Sequence, residues 1–374
     1  MLDSRERPGP GTARLSSPHA AGRVRHSTTM ARVFRSPAFA AGSQPDGPAG
    51  QAIPAAAEMT SGPPAVPFPM PATVVASAPR AGFGPLSLAD LAAMTKPGIT
   101  LMVALTTALG FLLAGGTVLS LQLAAALLGT CLVAAGASVL NQFWERASDA
   151  LMRRTAGRPL PAGRLDPDLA LLFGVTLGIA GLLELALAVN ALTAALGAAA
   201  LAGYVFVYTP LKKVSSLATV VGAIPGALPP MMGWCAVRGE IDLAAWALFG
   251  ILFFWQMPHF LAIAWLCRED YARGGFPMLP VLDPGGTWTG RQSVLYGAAL
   301  VPVSLLPSLL GLAGGLYFGG ALALGLAYLG CALAFARRRS TPGARRLMLA
   351  SLLYLPAVLA VLLLDRLAVP TAFR

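Results

Sequence analysis

Long apolar runs dominate this sequence from about residue 98 to its end. Each run holds about 20 residues, the length at which a helix crosses the hydrocarbon core of a bilayer. A helix also satisfies its own backbone hydrogen bonds, which the interior of a membrane requires. The runs lie near residues 98–118, 121–143, 168–189, 191–211, 217–237, 243–265, 292–312, 315–336 and 347–367. The sequence therefore predicts an all-α polytopic membrane protein with about nine transmembrane helices.

The charge content agrees with a membrane protein and excludes a soluble fold. Only 11% of the 374 residues are charged, against about 25% in soluble domains, and the mean hydropathy is +0.68. In a soluble chain, a net charge of +11 would favour a nucleic-acid partner. In a membrane protein that charge is explained by loop topology and by attraction to the bilayer surface. We therefore expect the lipid bilayer as a partner and no nucleic acid.

The basic residues alternate between successive loops. The second-to-third loop holds five lysine and arginine residues, the fourth-to-fifth two, the sixth-to-seventh three and the eighth-to-ninth five, whereas the intervening loops hold only Arg238. Lysine and arginine are enriched in cytoplasmic loops, so this alternation predicts a cytoplasmic N-terminus and polar loops that face the cytoplasm. Nine helices keep the alternation, and eight would break it midway.

The N-terminal residues 1–85 differ from the rest of the chain. They are rich in Ala, Pro, Gly and Ser and have no apolar periodicity. Such a segment cannot bury enough apolar surface to fold. We expect a disordered tail over residues 1–85 and a transmembrane domain over residues 86–374.

The most informative polar segment is residues 138–164, at the end of the second apolar run. Asn141, Glu145 and Asp149 recur every four residues, so a continuing helix carries all three on one face. An amide and two carboxylates form an oxygen-rich site for a hard divalent cation such as Mg²⁺. The arginines that follow suit phosphate oxygens, and they are Arg153, Arg154 and Arg158. These groups predict a diphosphate site, with a solvated basic loop between membrane helices as the alternative.

A second polar segment reads Tyr208-Thr209-Pro210-Leu211-Lys212-Lys213. Its lysine pair has two interpretations. The ammonium groups can bind phosphate as point charges, or they can anchor a helix end on the cytoplasmic side.

A third polar segment covers residues 255–281. Trp255, Gln256 and His259 lie late in the sixth run, next to a proline that predicts a kink. Polar groups at membrane depth usually face a cavity, which favours a functional role for His259. The alternative is a core residue whose hydrogen bonds are made within the protein. Glu269 and Asp270 offer a second pair of carboxylates at the helix end.

Together these segments resemble the protoheme IX farnesyltransferase branch of the intramembrane (UbiA-type) prenyltransferases. The resemblance covers about residues 90–370 and rests on the three segments in matching order and spacing. Its motif residues are Asn141-x3-Glu145-x3-Asp149, Met152, Arg154-Thr155, Arg158-Pro159-Leu160, Tyr208 to Lys213, Trp255 to Phe260, Asp270-Tyr271 and Pro277 to Pro280. Glu145 stands where many members of the superfamily have aspartate, and Glu269-Asp270 replaces two spaced aspartates. In both departures the chain resembles the heme branch. The second departure leaves open whether one or two Mg²⁺ ions bind.

The resemblance implies a nine-helix membrane domain around a central cavity that is roofed by cytoplasmic loops. The implied reaction transfers the farnesyl group of farnesyl diphosphate to a vinyl group of heme b, with addition of water, and gives heme O and diphosphate. Mg²⁺ is the implied cofactor. Terminal oxidases would use the product, directly or after conversion by heme A synthase.

The resemblance also implies roles for individual residues. Mg²⁺ would be held by Asn141, Glu145, Asp149, Glu269 and Asp270. The catalytic set would be Asn141, Glu145, Asp149, Asp270 and His259, with His259 orienting the water or contacting the heme. Substrate contacts would come from Arg153, Arg154, Arg158, Tyr208, Lys212, Lys213, Trp255, Gln256 and Tyr271.

Two other functions fit parts of the sequence. One is a related prenyltransferase with another aromatic acceptor, and the other is a polytopic transporter, which helices broken by Gly and Pro would suit. The residue usage, with Arg favoured over Lys, is typical of a GC-rich bacterium and predicts the cell inner membrane. A eukaryotic chain would instead belong in the mitochondrial inner membrane.

Overall fold

A computed structural model describes residues 87–368 of the chain, with the side chains of 367 and 368 left out, and the predicted tail over residues 1–85 lies outside the described residues. The helices are α1 Leu88–Met94, α2 Pro97–Leu113, α3 Leu121–Leu151, α4 Pro167–Ala188, α5 Ala191–Ala202, α6 Thr209–Leu211, α7 Ala218–Arg238, α8 Leu243–Leu266, α9 Arg268–Arg273, α10 Leu279–Leu282, α11 Thr287–Leu309, α12 Gly315–Arg338 and α13 Thr341–Ala368. A π-helical segment, Gly203–Tyr208, joins α5 to α6. Within these bounds the chain forms no strand, so the predicted all-α class is confirmed.

The expected number of membrane spans is also confirmed. Over residues 87–368, eight spans are long and apolar enough to cross a membrane, and the bent pair of α1 and α2 brings the number to nine. The axes of α1 and α2 meet at 51°. Asn190 separates the third and fourth apolar runs, 168–189 and 191–211. Its side chain accepts a hydrogen bond from the Thr193 N–H and donates to the carbonyl groups of Cys235 and Ala236.

Three boundaries differ from the predicted runs for local reasons. The first span ends at Leu113 because Gly115, at φ +99°, turns the chain there. Helix α11 starts at Thr287 because the Asp283 carboxylate accepts hydrogen bonds from the N–H groups of Thr287 and Thr289. Helix α3 continues to Leu151, so Asn141, Glu145 and Asp149 all lie within it.

Glycine residues allow the spans to approach closely. A Cβ on Gly233 of α7 would lie 1.9 Å from the Thr107 carbonyl oxygen of α2, and one on Gly110 of α2 would lie 1.9 Å from the Pro230 carbonyl oxygen. Between α3 and α4, a Cβ on Gly136 would lie 2.7 Å from the Gly178 nitrogen. Small residues at such crossings are the usual means of helix packing in membranes. These contacts fix α3 beside α4 and α7 beside α2, and so hold the polar end of α3 in place.

Candidate active site

The three polar residues of α3 lie on one buried face, as their spacing predicts. Asn141, Glu145 and Asp149 are 3%, 2% and 1% exposed. Charged side chains are rarely buried unless they are paired or hydrogen-bonded. The neighbours of these three residues therefore define the site.

Each buried carboxylate is paired with one basic side chain from elsewhere in the chain. Lys212 Nζ donates to Glu145 Oε2 at 2.9 Å and lies 2.8 Å from Oε1. Arg158 Nη1 donates to Asp149 Oδ2 at 2.7 Å. Glu145 Oε1 has this ion-pair contact but no hydrogen-bond donor. Asp149 Oδ1 is likewise a buried acceptor without a hydrogen-bond donor. Buried polar atoms of this kind need an explanation.

Asn141 connects the carboxylate face to two further elements. Its Oδ1 accepts a hydrogen bond from Lys96 Nζ at 3.2 Å, and its Nδ2 donates to Thr209 Oγ1 at 3.1 Å. The Thr209 hydroxyl in turn donates to the Tyr204 carbonyl oxygen at 2.8 Å. Because that hydroxyl proton is used, Thr209 can only accept from Asn141, and the orientation of the amide is fixed.

Lys96 and Thr209 belong to this cluster, although the sequence assigned neither a role in the site. Lys96 lies between α1 and α2 in the left-handed region, at φ +49°. Few non-glycine residues adopt this conformation. The Lys96-Pro97 pair at the first apolar run was the available signal, but a lysine at a helix start is explained equally well by membrane topology.

The π-helical segment forms the wall of the site next to Lys212. The Tyr208 ring lies close to α7, where a Cβ on Gly222 would come within 2.5 Å of it. Lys212 Nζ lies 5.5 Å from the centre of the Tyr208 ring and 4.7 Å from that of Phe276. Burial by itself would lower the pKa of the Lys212 ammonium, but Tyr208 and the Glu145 carboxylate hold that pKa above its ordinary value. Lys212 is therefore a fixed, buried positive charge.

The two residues of the second acidic pair have different surroundings: Glu269 faces solvent, and Asp270 contacts the loop after α3. Asp270 accepts a hydrogen bond from the Arg153 N–H at 3.0 Å and pairs with Arg273, whereas Glu269 is exposed. Tyr271 packs edge-on against Phe276, with ring centres 6.2 Å apart. Asp270 thus links α9 to the first motif, but through the backbone rather than through Glu145 or Asp149.

The predicted basic residues fall into two groups. Lys212 is buried and Arg158 half-buried, and both contact the carboxylates of α3. The side chains of Arg153, Arg154 and Lys213 are exposed. These three increase the positive charge outside the cluster without binding to it.

The polar residues of α8 contact other helices. Gln256 is buried and its Nε2 donates to the Ala223 carbonyl oxygen of α7 at 2.7 Å. Trp255 Nε1 donates to the Ser351 carbonyl oxygen of α13 at 2.8 Å, and His259 Nδ1 lies 2.7 Å from Ser351 Oγ. In the described part of the chain, no hydrogen bond joins these three side chains to the acidic face of α3.

The donor set of α3 suits a hard cation. Among residues 87–368, no group of three or more His, Cys, Asp or Glu side chains lies close enough together to hold a metal ion. Asp149 Oδ1 is nevertheless a buried oxygen without a donor, and Glu145 Oε1 has only the ion-pair contact with Lys212. Oxygen atoms of this kind are the preferred ligands of Mg²⁺, so the residues present fit that ion.

Comparison with known proteins agrees with the architecture. Residues 103–355 match the model of the UbiA prenyltransferase family. The chain is 48% identical over 287 residues to a protoheme IX farnesyltransferase of Solibacter usitatus (strain Ellin6076), covering 74% of this chain and 98% of that protein. It is 46% identical over 288 residues to a protoheme IX farnesyltransferase of Myxococcus xanthus (strain DK1622), covering 77% and 98%.

Two solved structures share the fold at low sequence identity. A digeranylgeranylglyceryl phosphate synthase superposes with a TM-score of 0.65 at 16% identity, over 75% of this chain and 99% of that one. A UbiA homolog from Archaeoglobus fulgidus, bound to DMAPP and Mg²⁺, superposes with a TM-score of 0.54 at 18% identity, over 75% and 100%.

Proposed function

This chain belongs to the UbiA prenyltransferase family, and on that premise we propose that it transfers the farnesyl group of farnesyl diphosphate to a vinyl group of heme b. The identity of both substrates rests on relatives at 46–48% identity that are named protoheme IX farnesyltransferase and are covered almost completely. The single structural observation that carries the reaction class is the buried acidic face of α3 with Lys212 and Arg158 paired to it. A transporter gains no support from the family or from the site.

The acidic face supports a role for Mg²⁺. Asp149 would hold the ion through Oδ1, which lacks a donor, and Glu145 through Oε1, where the ion would replace the contact with Lys212. Asn141, Asp270 and Glu269 are proposed as further ligands. When bound, the ion would neutralise the negative charge of the diphosphate leaving group.

The basic residues supply the complementary charge. Lys212 and Arg158 now pair with carboxylates, and a metal ion at those carboxylates would free both side chains for phosphate oxygens. Arginine and lysine bind such oxygens through charge-assisted hydrogen bonds. Held in place before the reaction, they stabilise the charge that develops as the diphosphate leaves. The exposed Arg153, Arg154 and Lys213 would attract the anionic substrate.

The remaining steps need an apolar environment. The bond between C1 of the farnesyl group and the diphosphate oxygen breaks, and the allylic cation is shielded from water by the helices. The vinyl group attacks C1, a carbon–carbon bond forms, and the positive charge moves to the carbon next to the porphyrin. Water adds to that carbon and loses a proton, which gives the hydroxyl group of heme O. Trp255, Gln256, Tyr208 and Tyr271 are the proposed contacts of the two substrates.

The chain is a multi-pass membrane protein, and we place the diphosphate site on the cytoplasmic side of the cell inner membrane. The support is the alternation of lysine and arginine between loops. Heme O would pass to a terminal oxidase, directly or through heme A synthase.

Expression in a strain that cannot make heme O tests this function. Extracted hemes are separated by chromatography and weighed by mass spectrometry. The wild type should give a farnesylated, hydroxylated heme, and Asp149→Asn should abolish it. Asp168→Asn, the same change at an exposed position of α4, should retain it. Only heme b from well-inserted wild type would refute the reaction, and equal product from Asp149→Asn would refute the metal site.

A further inference from the structure

A second polar cluster lies within the membrane between α8 and α13. His259 is seven residues from the end of α8, and its Nδ1 lies 2.7 Å from Ser351 Oγ. Ser351 Oγ lies 2.5 Å from the Met348 carbonyl oxygen. Ionisable groups at membrane depth are costly, and they usually serve a function.

The proton positions follow from the number of donors. A serine hydroxyl has one proton, and two oxygens 2.5 Å apart are held together by a proton between them. The Met348 carbonyl has no proton to give, so the Ser351 proton points to it. Ser351 Oγ must then accept from His259, which places the imidazole proton on Nδ1. The lone pair of the neutral ring is therefore on Nε2.

Nε2 is the open atom of this cluster. It has no hydrogen-bond partner among residues 87–368, and the imidazole ring is only half-buried. Trp255 stacks on the ring, with centres 5.4 Å apart and planes at 17°. Trp255 is held in turn by its bond to the Ser351 carbonyl and by the Tyr328 hydroxyl, which donates to the Trp255 carbonyl oxygen at 3.1 Å. The ring is thus fixed on one edge and on one face.

We propose that Nε2 of His259 is an axial ligand to the iron of the heme substrate, with Ser351 as the residue that positions it. A hydrogen bond from the other ring nitrogen is the usual means of fixing a metal-binding histidine. The stacked Trp255 restricts rotation of the imidazole ring, which keeps Nε2 pointing in one direction. This inference rests on the function proposed above.

The position of His259 along α8 suits such a role. Seven residues of helix separate it from the polar end of α8 by about 10 Å. A porphyrin carries its vinyl groups on its rim, away from the iron. Iron held at His259 would therefore allow a vinyl group to extend toward the diphosphate end while the metal stays deeper in the membrane.

Spectroscopy on the purified wild type tests whether a histidine binds the iron, and the His259→Ala variant below assigns the residue. The sequence contains only three histidines, and His259 is the one within residues 87–368, since His19 and His26 precede them. The full chain labelled with ¹⁵N-histidine would be loaded with ferric heme b and measured by pulsed EPR. Hyperfine coupling to ¹⁵N from a directly bound nitrogen is expected. Its absence in a sample that binds heme would overturn the inference.

Variants separate ligation from other roles. His259→Ala should remove the spectrum of histidine-ligated heme and weaken heme binding at least tenfold, and added imidazole should restore the spectrum. Ser351→Ala should keep the ligand but weaken heme binding roughly tenfold. Ser293→Ala, another buried serine bonded within its own helix, should change neither. Farnesyl diphosphate binding, unchanged in all three variants, checks that each is folded.

The outcomes distinguish this inference from the proposed function. If the wild type makes heme O while the heme spectrum of His259→Ala equals that of the wild type, the ligand role is wrong and the function stands. Loss of turnover with an unchanged spectrum would mean that Nε2 acts on the water instead. A wild type that neither binds heme nor forms heme O would refute the proposed function itself.

Discussion

Lys212 Nζ lies 2.9 Å from Glu145 Oε2, although 67 residues separate the two in the chain. Both side chains are almost completely buried. A buried charge without a partner is far more costly than a buried pair. This contact therefore ties the end of the fourth membrane span to α3. It also places side by side the carboxylate proposed to bind Mg²⁺ and the ammonium proposed to bind diphosphate.

The first prediction concerns this pair. Lys212→Met leaves the Glu145 carboxylate buried and unpaired, so it should lower the free energy of unfolding by about 3–5 kcal/mol. Adding Glu145→Gln should restore most of that stability but not heme O formation. Thermal unfolding in detergent measures the first effect. Lys213→Met, at an exposed neighbour, is the control, and a double variant no more stable than Lys212→Met would contradict the argument.

The second prediction concerns the amide of Asn141. Thr209→Val removes the hydroxyl that fixes this amide while keeping the side-chain shape. A buried donor left unpaired lowers stability by roughly 1–3 kcal/mol. Because the amide is then free to rotate, turnover should also fall, by an amount on the order of tenfold for a difference of that size. Thr209→Ser, which keeps the hydroxyl, should stay near wild type. Equal rates for the two variants would show that the orientation of the amide has no influence on the reaction.

The third prediction concerns Lys96. Its amino group is a third basic group at the acidic face and donates a hydrogen bond to Asn141. Lys96→Met should weaken farnesyl diphosphate binding about tenfold, the typical effect of losing a charged hydrogen bond. Lys96→Arg should retain most of the affinity. Binding is measured by calorimetry with a non-reactive thiodiphosphate analogue, and an unchanged Kd for Lys96→Met would rule out a phosphate contact.

The fourth prediction concerns helix packing. Gly233→Ala places a methyl group where the Thr107 carbonyl oxygen would be 1.9 Å away. Because that neighbour is backbone, α2 and α7 must separate, and a loss of stability of at least about 1–3 kcal/mol is expected. Gly330→Ala, where nothing lies within 4 Å of the new methyl group, should keep or slightly raise the melting temperature, since alanine favours the helix more than glycine does. A similar change in both variants would argue against the close crossing.

The fifth prediction separates the two polar clusters. Removal of divalent cations should stop heme O formation and weaken farnesyl diphosphate binding, because Lys212 and Arg158 would stay paired with Glu145 and Asp149 and no metal ion would neutralise the diphosphate. Heme binding at His259 should be unaffected, since no hydrogen bond joins that cluster to α3 in the described residues. Heme affinity is measured by absorption titration with and without chelator. A parallel loss of both ligands would indicate one shared site.

The sequence predicted the local features of this protein. Apolar length predicted each span, and the four-residue spacing of Asn141, Glu145 and Asp149 predicted one helical face. Both depend only on the geometry of a single helix, which residues close in sequence determine. Helix ends were less well predicted where a side chain acts as a cap, as Asp283 does for α11.

Contacts between helices were decided by the tertiary structure. The pairing of Lys96 with Asn141, of Lys212 with Glu145 and of His259 with Ser351 joins residues 45, 67 and 92 positions apart. The contact of Asp270 with the backbone N–H of Arg153 joins residues 117 positions apart, and the sequence did not predict it. The sequence by itself thus determined which segments enter the membrane and which helix face is polar, because hydropathy and helical period are local. Only the packing of those helices, fixed by close glycine contacts, decided which charges meet.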